Sequence, residues 1–261
     1  MEYPMIKNSF QSLPFWAQDS LRNTRDVVLS LPYRGTGRTC PVCEKDSRKF
    51  REYGILHRED GRCMQCGALE RHRFAWLFFQ KMTNLFDGKF KKMLHVGAER
   101  GFEPKLRKQL GTGYITADLF DPRADVKMDI TDIQYSDNVF DVIYCSHVLE
   151  HVQDDKKAMR EFFRVLKPGG WAILLVPILN GDHPTFENPE IVTPEERLAI
   201  YGQEDHVRKY GNDYIDRLRE SGFTVRKYNV PELFDAQQRK QMGLTDSCGD
   251  IFFCTKPQTN S

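Results

Sequence analysis

Two pairs of cysteines constrain this chain more than any other sequence feature. Cys40 and Cys43 form one pair, Cys63 and Cys66 form the other, and 19 residues separate them. A two-residue gap lets both thiolates of a pair reach one ion, and the intervening loop brings the second pair back to it. The spacing predicts a structural zinc ribbon held by four thiolates, in preference to two redox CxxC motifs or two reduced thiol turns.

The remaining cysteines, Cys145, Cys248 and Cys254, bring the total to seven. An odd number argues against a secreted disulfide framework and favours a reducing cytoplasm, with these three as core or surface thiols. Residues 1–25 lack the charged start and apolar run of a signal peptide. The longest apolar run, residues 171–179, has the length of a buried strand and is too short to span a membrane. We therefore expect a cytoplasmic protein without a membrane span.

The chain of 261 residues has room for one large domain and a small module. We expect an N-terminal extension over 1–33 with one short helix, a zinc ribbon over 34–68, a linker helix within 69–91, and a larger domain over 92–261. Helical periodicity runs from residue 67 to residue 82. The run from Arg71 to Arg73, which includes His72, is expected on a solvated face of that helix.

Charge is distributed unevenly along the chain. Residues 34–92 carry 14 Lys/Arg and 7 Asp/Glu, a balance of +7, and the remainder carries 24 and 30, a balance of −6. A basic module can contact an anionic partner such as a nucleic acid, or it can dock on the acidic remainder of the same chain. No continuous basic run decides between the two.

From residue 92 onward, predicted strands and helices alternate, which favours a mostly parallel sheet covered on both faces. The strands are predicted at 93–96, 114–118, 125–128, 140–145, 171–176, 223–228 and 251–255, and helices at 102–110, 154–166 and 212–221. The run Lys167-Pro-Gly-Gly predicts a stop between the second helix and the fifth strand.

Acidic residues follow consecutive strands of this predicted sheet. Asp118 ends the second strand, 21 residues after Gly97, where a carboxylate can accept both hydroxyls of a ribose. Asp129 follows the third strand, where a carboxylate can accept an adenine amino proton. Each alone is more typical of a turn or a helix cap. Because ligands bind at the carboxyl edge of a parallel sheet, the series favours a nucleoside-containing cofactor.

The run Phe140-Asp-Val-Ile-Tyr-Cys-Ser-His-Val-Leu-Glu-His-Val, continued by Arg164-Val-Leu-Lys-Pro-Gly-Gly, resembles class I S-adenosylmethionine-dependent methyltransferases of the type 11 group. The resemblance covers residues 92 to about 256. It implies an α/β, Rossmann-like, seven-stranded sheet with an antiparallel last strand. A dehydrogenase is the competing interpretation. The turn after the first strand lacks GxGxxG, and S-adenosylmethionine has no phosphate for such a turn to bind.

The resemblance also implies how the cofactor is held. S-adenosylmethionine would lie across the tips of strands one to four. Its methionine part would be bordered by Gly97 and Gly101, with Glu99 in the same cleft. Its nucleoside and the cleft floor would be contacted by Asp118, Leu119, Asp129, Ile130, Ser146 and His147. Glu99 is a departure from the family's GxGxG loop.

The acceptor side is predicted in a long insertion over 180–211, of the length typical of a lid or binding loop. Asp205 followed by His206 suggests a general base whose tautomer a carboxylate fixes. His206 is the first choice for this base and His183 the second, and Arg208 is expected to hold an anionic group of the acceptor. The alternative is an ordered loop held by salt bridges.

His147 and His151 lie four residues apart with Glu150 between them. On a helical turn the two histidines share a face, so a metal site is one interpretation. The favoured one gives His147 to the cofactor floor and His151 to packing or capping.

The sequence thus predicts methyl transfer from S-adenosylmethionine to a small polar metabolite, for which a sugar or sugar-nucleotide hydroxyl is the suggested acceptor. One alternative is an RNA methyltransferase whose basic zinc ribbon grips the RNA backbone. The other is a non-catalytic sensor or scaffold that binds S-adenosylmethionine. Neither the acceptor atom nor the oligomeric state follows from the sequence.

Overall fold

The computed structural model describes residue 21 and residues 25–54, 57–179 and 181–258. Of the short helix predicted within the N-terminal extension, residues 25–30 are helical, and residues 1–20 and 22–24 lie outside the described residues. A 3-10 turn, Leu31–Tyr33, leads into the cysteine module. This module consists of two small antiparallel hairpins, β1 Arg38–Thr39 with β2 Asp46–Ser47 and β3 Arg51–Tyr53 with β4 Arg58–Arg62.

A long helix, α1 Glu70–Met82, joins the cysteine module to the sheet. Its aromatic side chains pack on the sheet, where the Phe79 ring lies 5.5 Å from that of Tyr144 and the Phe78 ring 5.0 Å from that of Tyr228. The expectation of a solvated face at residues 71–73 is wrong, because His72 and Arg73 are both buried. The module covers the face of α1 that the sheet leaves open, so a run of polar residues is enclosed.

Seven strands form the central sheet, in the order β12-β13-β9-β8-β5-β6-β7. Their bounds are β5 Met93–Val96, β6 Tyr114–Asp118, β7 Val126–Lys127, β8 Phe140–Ser146, β9 Leu166–Leu175, β12 Thr224–Tyr228 and β13 Ile251–Thr255. Strand β13 is antiparallel to both of its neighbours, and the pairs from β9 to β7 are parallel. The predicted seven-stranded sheet with an antiparallel last strand is confirmed.

The sheet divides the core into two layers, because alternate side chains of a strand point to opposite faces. On β8, Val142 and Tyr144 belong to the layer that contains α1, and Ile143 and Cys145 to the opposite layer. Together with Cys248 and Cys254, Cys145 is a buried free thiol. The other helices are α2 Glu103–Leu110, α3 Asp155–Val165, α4 Pro194–Tyr201, α5 Tyr214–Glu220, α6 Val230–Leu233 and α7 Ala236–Met242.

The run Lys167-Pro-Gly-Gly does not precede the fifth strand but lies inside it. Strand β9 begins at Leu166, and its pairing with β8 shifts between Leu166 and Trp171, so these glycines form an irregularity in the strand. Two backbone bonds explain why the chain stays extended there. Gly169 donates to the carbonyl of Lys256, and Lys256 donates to the carbonyl of Gly170.

The insertion before α5 contains regular structure of its own. Strands β10 Phe186–Glu187 and β11 Arg208–Lys209 pair antiparallel on either side of α4. Within the described residues, no helix is both long and apolar enough to cross a membrane.

Arg73 joins three parts of the chain from a fully buried position. Its Nη1 donates to the carbonyls of Gly61 and Ala68, both at 3.1 Å, and its Nη2 to those of Asp60 at 2.5 Å and Gly243 at 2.7 Å. Four carbonyl acceptors thus solvate one guanidinium. The second hairpin, the turn before α1 and the loop after α7 are thereby fixed together.

We expect Arg73→Met to lower the free energy of unfolding by about 3 kcal/mol or more, because four buried carbonyls lose their donor. Equilibrium unfolding in urea measures this. Arg51→Met on the exposed β3 is the matched control and should change stability by less than about 0.5 kcal/mol. Equal stabilities for the two variants would contradict the role given to Arg73.

Candidate functional site

The four paired cysteines converge on one point. Cys40 Sγ lies 3.7 Å from Cys66 Sγ, Cys43 Sγ lies 3.9 Å from Cys63 Sγ, and all four sulfurs lie within 4.8 Å of one another. In a tetrahedral zinc site with bonds of about 2.3 Å, the sulfurs are about 3.8 Å apart. A disulfide would need about 2.05 Å. The donor set and its spacing therefore fit a four-thiolate zinc ion.

The two cysteine pairs have the same backbone turn. Glu44 N donates to the Cys40 carbonyl at 2.7 Å, and Gly67 N donates to the Cys63 carbonyl at 2.8 Å. Glu44 and Gly67 both have positive φ angles, 62° and 78°. A left-handed residue directly after each pair reverses the chain, so both thiolates of the pair point to the same side.

The second of these turns rests directly on the loop that follows β5. A Cβ atom added at Gly101 would lie 2.6 Å from the backbone carbonyl of Gly67, so only glycine fits at position 101. Nearby, Lys105 Nζ of α2 donates to Glu44 Oε1 at 2.7 Å. In the same loop, a Cβ at Gly97 would lie 2.7 Å from Val148 Cγ2. The predicted cofactor loop is therefore in contact with the cysteine module.

Glu99 lies at the centre of a partly buried charge network between α1 and the sheet. Its Oε1 accepts hydrogen bonds from Arg71 Nη2 at 3.0 Å and Ser146 Oγ at 3.3 Å, and lies 2.9 Å from His72 Nε2. Its Oε2 lies 3.7 Å from His95 Nε2. Burial alone would raise the pKa of Glu99, but His72, His95 and Arg71 outweigh it and hold that pKa well below its usual range. Glu99 is thus an ionised link from α1 to the strand tips.

Arg71 and His72 are residues of this site that the sequence analysis missed. Burial lowers the pKa of His72, although Glu99 opposes that shift. The periodicity of α1 gave no signal for them, because it marks apolar positions and says nothing of what covers the polar ones.

The two aspartates at the strand tips each fix their own turn. Asp118 Oδ1 accepts the backbone N–H of Phe120 at 2.7 Å and of Asp121 at 2.8 Å. Asp129 Oδ1 accepts both the backbone N–H and the hydroxyl of Thr131 at 2.8 Å. These bonds use one oxygen of each carboxylate. Each aspartate is therefore a turn residue that keeps a second oxygen, Oδ2, for other hydrogen bonds.

The other predicted cofactor residues differ in exposure. Leu119 is exposed, Ile130 and Ser146 are buried, and His147 is partly exposed with a φ angle of 56°.

A cavity of about 630 Å³ lies between the cysteine module, α1 and the loop after β5. Of the predicted cofactor residues, Glu99 and Gly101 line it. Its cationic lining residues are Arg25, Arg34, Lys45, Arg62, Arg71 and Arg100, against the acidic Asp26 and Glu99.

A second polar cluster follows the end of β8. One ligand atom each from Glu150, His151 and His206 lie within 4.8 Å of one another. Asp205 Oδ2 lies 3.1 Å from His151 Nδ1, so this carboxylate pairs with His151 and not with the adjacent His206 as predicted. His147 Nδ1 lies 3.2 Å from Glu150 Oε1. Burial, with the nearby His151, lowers the pKa of His206.

Arg208 anchors the insertion and is not available to an acceptor. It is buried, and its Nη1 donates to the carbonyls of Leu149 at 2.8 Å and Val152 at 2.5 Å. Its Nη2 donates to the Gln153 carbonyl and its Nε to Glu187 Oε2. His183 is exposed and lies outside the histidine cluster, with its carbonyl accepting the N–H of Asn212.

Comparison with known proteins identifies a protein family that part of this chain resembles. Residues 93–174 match a family model described as a methyltransferase domain. The matched segment runs from β5 to within β9 and contains the loop with Glu99, the strand-tip aspartates and the start of the histidine cluster. This part of the chain is therefore similar to methyltransferase domains, as the resemblance in the sequence implied.

Individual relatives match only part of the chain. Phosphoethanolamine N-methyltransferase 3 of Arabidopsis thaliana is 36% identical over 101 residues, which cover 36% of this chain and 18% of that protein. The ubiquinone/menaquinone biosynthesis C-methyltransferase UbiE of Bdellovibrio bacteriovorus is 33% identical over 107 residues, 36% of this chain and 46% of that one. The chain thus spans less than half the length of either relative.

Among solved structures, an S-adenosylmethionine-dependent methyltransferase from Mesorhizobium loti aligns with a TM-score of 0.46 at 14% identity. The alignment covers 69% of this chain and 96% of that chain.

We expect Glu99→Gln to lower the free energy of unfolding by roughly 1–3 kcal/mol at pH 7, because Arg71, His72 and His95 lose their anion. The pKa of Glu99 is lower in the folded chain than its ordinary 4.5. Its stabilising contribution is therefore complete above about pH 4.5 and is lost as the pH falls through the lowered folded value.

Urea unfolding of both proteins between pH 3 and pH 7 measures this difference. Glu59→Gln on the exposed side of β4 is the control. A stability difference that does not depend on pH would show that Glu99 acts by packing and not by charge.

Proposed function

We propose that this chain transfers a methyl group from S-adenosylmethionine to a small polar metabolite. The observation that carries the proposal is the match of residues 93–174 to a methyltransferase domain, over a sheet whose strand tips bear an acidic series. A sugar or sugar-nucleotide hydroxyl is the acceptor class we propose.

The residues at the strand tips suit the cofactor. Gly97 has a φ angle of 63° and leaves no room for a side chain, which lets the backbone approach the methionine part. Asp118 can accept hydrogen bonds from the ribose hydroxyls with Oδ2, the oxygen that its turn does not use. Leu119, the next residue, would also contact the cofactor. Asp129 and Ile130 would flank the adenine, with Ser146 and His147 below. When bound, S-adenosylmethionine supplies an electrophilic methyl group on a sulfonium.

We infer that the four clustered thiolates hold one structural zinc ion. Four sulfur ligands leave no open position for chemistry, so the ion would stabilise the module and not act on a substrate. Its free thiols fit the reducing cytoplasm in which we expect the chain to work. Because Gly67 rests on Gly101, the metal would also help to hold the cofactor loop.

The histidine cluster is our candidate for the acceptor side. Alignment of acceptor, methyl group and sulfur supplies most of the rate, worth about 7–11 kcal/mol in well-oriented reactions. A hydroxyl acceptor must also lose its proton, and we propose that His206 promotes this loss. Its lowered pKa keeps the imidazole unprotonated at neutral pH, so a nitrogen lone pair is available. Asp205 would act indirectly, by orienting His151. His183 is the second candidate for the base, after His206.

We expect Cys63→Ser to lower the zinc content by about one ion per chain and to destabilise the module, because a tetrahedral site loses a thiolate. Elemental analysis of the purified chain measures the zinc content. Cys254→Ser, a buried thiol outside the cluster, should keep the wild-type content. Equal zinc in both variants would remove the four-thiolate assignment.

We expect Asp118→Asn to weaken S-adenosylmethionine binding by roughly 10–100-fold, because hydrogen bonds to a charged group are worth about 1.5–3 kcal/mol. The asparagine oxygen still serves the turn at Phe120 and Asp121, so the fold is retained. Isothermal titration calorimetry measures the affinity, with exposed Asp132→Asn as control. Unchanged affinity would exclude this cofactor site.

Incubation with methyl-labelled cofactor and fractionated cell extract tests the whole proposal. We expect label in a low-mass product, with His206→Gln reducing the rate by about 10²-fold or more and leaving cofactor affinity intact. Label in RNA would favour the RNA methyltransferase. Cofactor binding with no labelled product in any fraction would favour a sensor.

A further inference from the structure

Glu150 is the least expected residue of the histidine cluster. Its side chain is 1% exposed, yet among the described residues its Oε2 has no hydrogen-bond partner. Its Oε1 lies 3.2 Å from His147 Nδ1. A buried carboxylate oxygen without a partner is costly, because it has lost its water and gained nothing in return. This carboxylate lies close to two imidazoles, those of His151 and His206.

The two imidazoles are arranged as metal-ligating histidines commonly are. Asp205 Oδ2 lies 3.1 Å from His151 Nδ1, which leaves Nε2 as the free nitrogen of that ring. A carboxylate on the far nitrogen orients a ligating histidine and raises its basicity. The His206 ring lies 4.6 Å from the His151 ring, and His206 is buried.

We propose that Glu150, His151 and His206 bind a divalent first-row transition-metal ion. Two imidazole nitrogens and one carboxylate oxygen are a donor set for zinc, iron, manganese, cobalt or nickel ions, and they leave coordination positions open. Asp205 and His147 are the outer partners that orient the ligands. This site differs from the four-thiolate site in its donor atoms and in its open positions.

The fold brings the ligands together across a long stretch of sequence. Glu150 and His151 lie in the 3-10 turn Leu149–His151 after β8, and His206 lies just before β11. Val207 N donates to the Glu150 carbonyl at 2.9 Å, which fixes the neighbour of one ligand to the backbone of another. The three carbonyl bonds of Arg208 hold the same two segments together. A site held on both sides in this way is preorganised.

The ion would activate the methyl acceptor. This role rests on the proposed methyl transfer. An acceptor hydroxyl on an open position would have a lowered pKa and release its proton to solvent. The oxygen then forms a bond to the methyl carbon as the carbon–sulfur bond breaks. The electron pair of the broken bond stays on sulfur, which becomes a neutral thioether.

The test is a titration of the full chain, with its thiolate zinc in place, with Co²⁺ followed by calorimetry and visible absorption. We expect one Co²⁺ per chain to bind with weak visible bands and without the intense near-ultraviolet band of cobalt–thiolate bonds. His206→Gln and Glu150→Gln should each weaken this binding at least about 10-fold. Asp205→Asn should weaken it by about 10–100-fold, as expected for an outer partner.

Exposed His183→Gln, in the same insertion, is the matched control and should bind Co²⁺ as the wild type does. Asp205 is largely exposed, so its variant should fold even where a buried ligand variant does not. Retained zinc content and near-ultraviolet circular dichroism establish folding. Wild-type protein that takes up no Co²⁺ outside the thiolate site, or a folded Asp205→Asn and His206→Gln with unchanged affinity, would overturn the proposal. Neither measurement uses cofactor or acceptor, so failure of methyl transfer would leave it standing.

Discussion

A single buried guanidinium sets how the parts of this chain fit together. Arg73 has four backbone carbonyls around it, drawn from the cysteine module, the turn before α1 and the loop after α7. A buried charge is tolerated when hydrogen bonds replace its water, and here carbonyl dipoles serve instead of a carboxylate. Because the acceptors come from distant segments, Nη1 and Nη2 of the arginine have all their partners only when all three segments are in place. The module is thus part of the folded core and not an appendage.

The same helix carries a second charge network, partly buried, toward the strand tips. Directly before Arg73, at the N-terminal end of α1, Arg71 and His72 contact Glu99 in the loop that follows β5. The carboxylate also accepts from Ser146 at the end of β8. The loop after β5 is thus held by ionic contacts from α1 as well as by the sheet. The departure from a glycine-rich loop therefore has a structural explanation.

The sheet was predictable because its pattern is local. Strands β5, β6 and β13 begin and end at the predicted residues, since short apolar runs between turn signals mark them clearly. The glycines inside β9 were misjudged, because the backbone partner that keeps them extended, Lys256, lies far along the chain. The cysteine convergence followed from spacing alone.

The polar sites were harder to predict, because their partners are distant in sequence. Asp205 and His206 are adjacent in an irregular segment, where neighbouring side chains leave the backbone in different directions, so the expected pair did not form. Asp205 instead meets His151, and Glu150 lies beside His206, across more than fifty residues. The buried state of His72 and Arg73 likewise depends on the module that covers α1. Only the three-dimensional arrangement reveals such contacts.

The contact between Gly67 and Gly101 couples the sequence changes that two segments of the chain can accept. The loop after β5 cannot gain bulk at position 101 unless the other segment withdraws, because a methyl group there would overlap the carbonyl of Gly67. Position 67 favours glycine for a different reason, its positive φ angle of 78°. The two positions are expected to be inherited as a unit across descendants of this chain. A chimaera that grafts a foreign N-terminal module onto this sheet would have to supply an equally bare stretch of backbone at the same point.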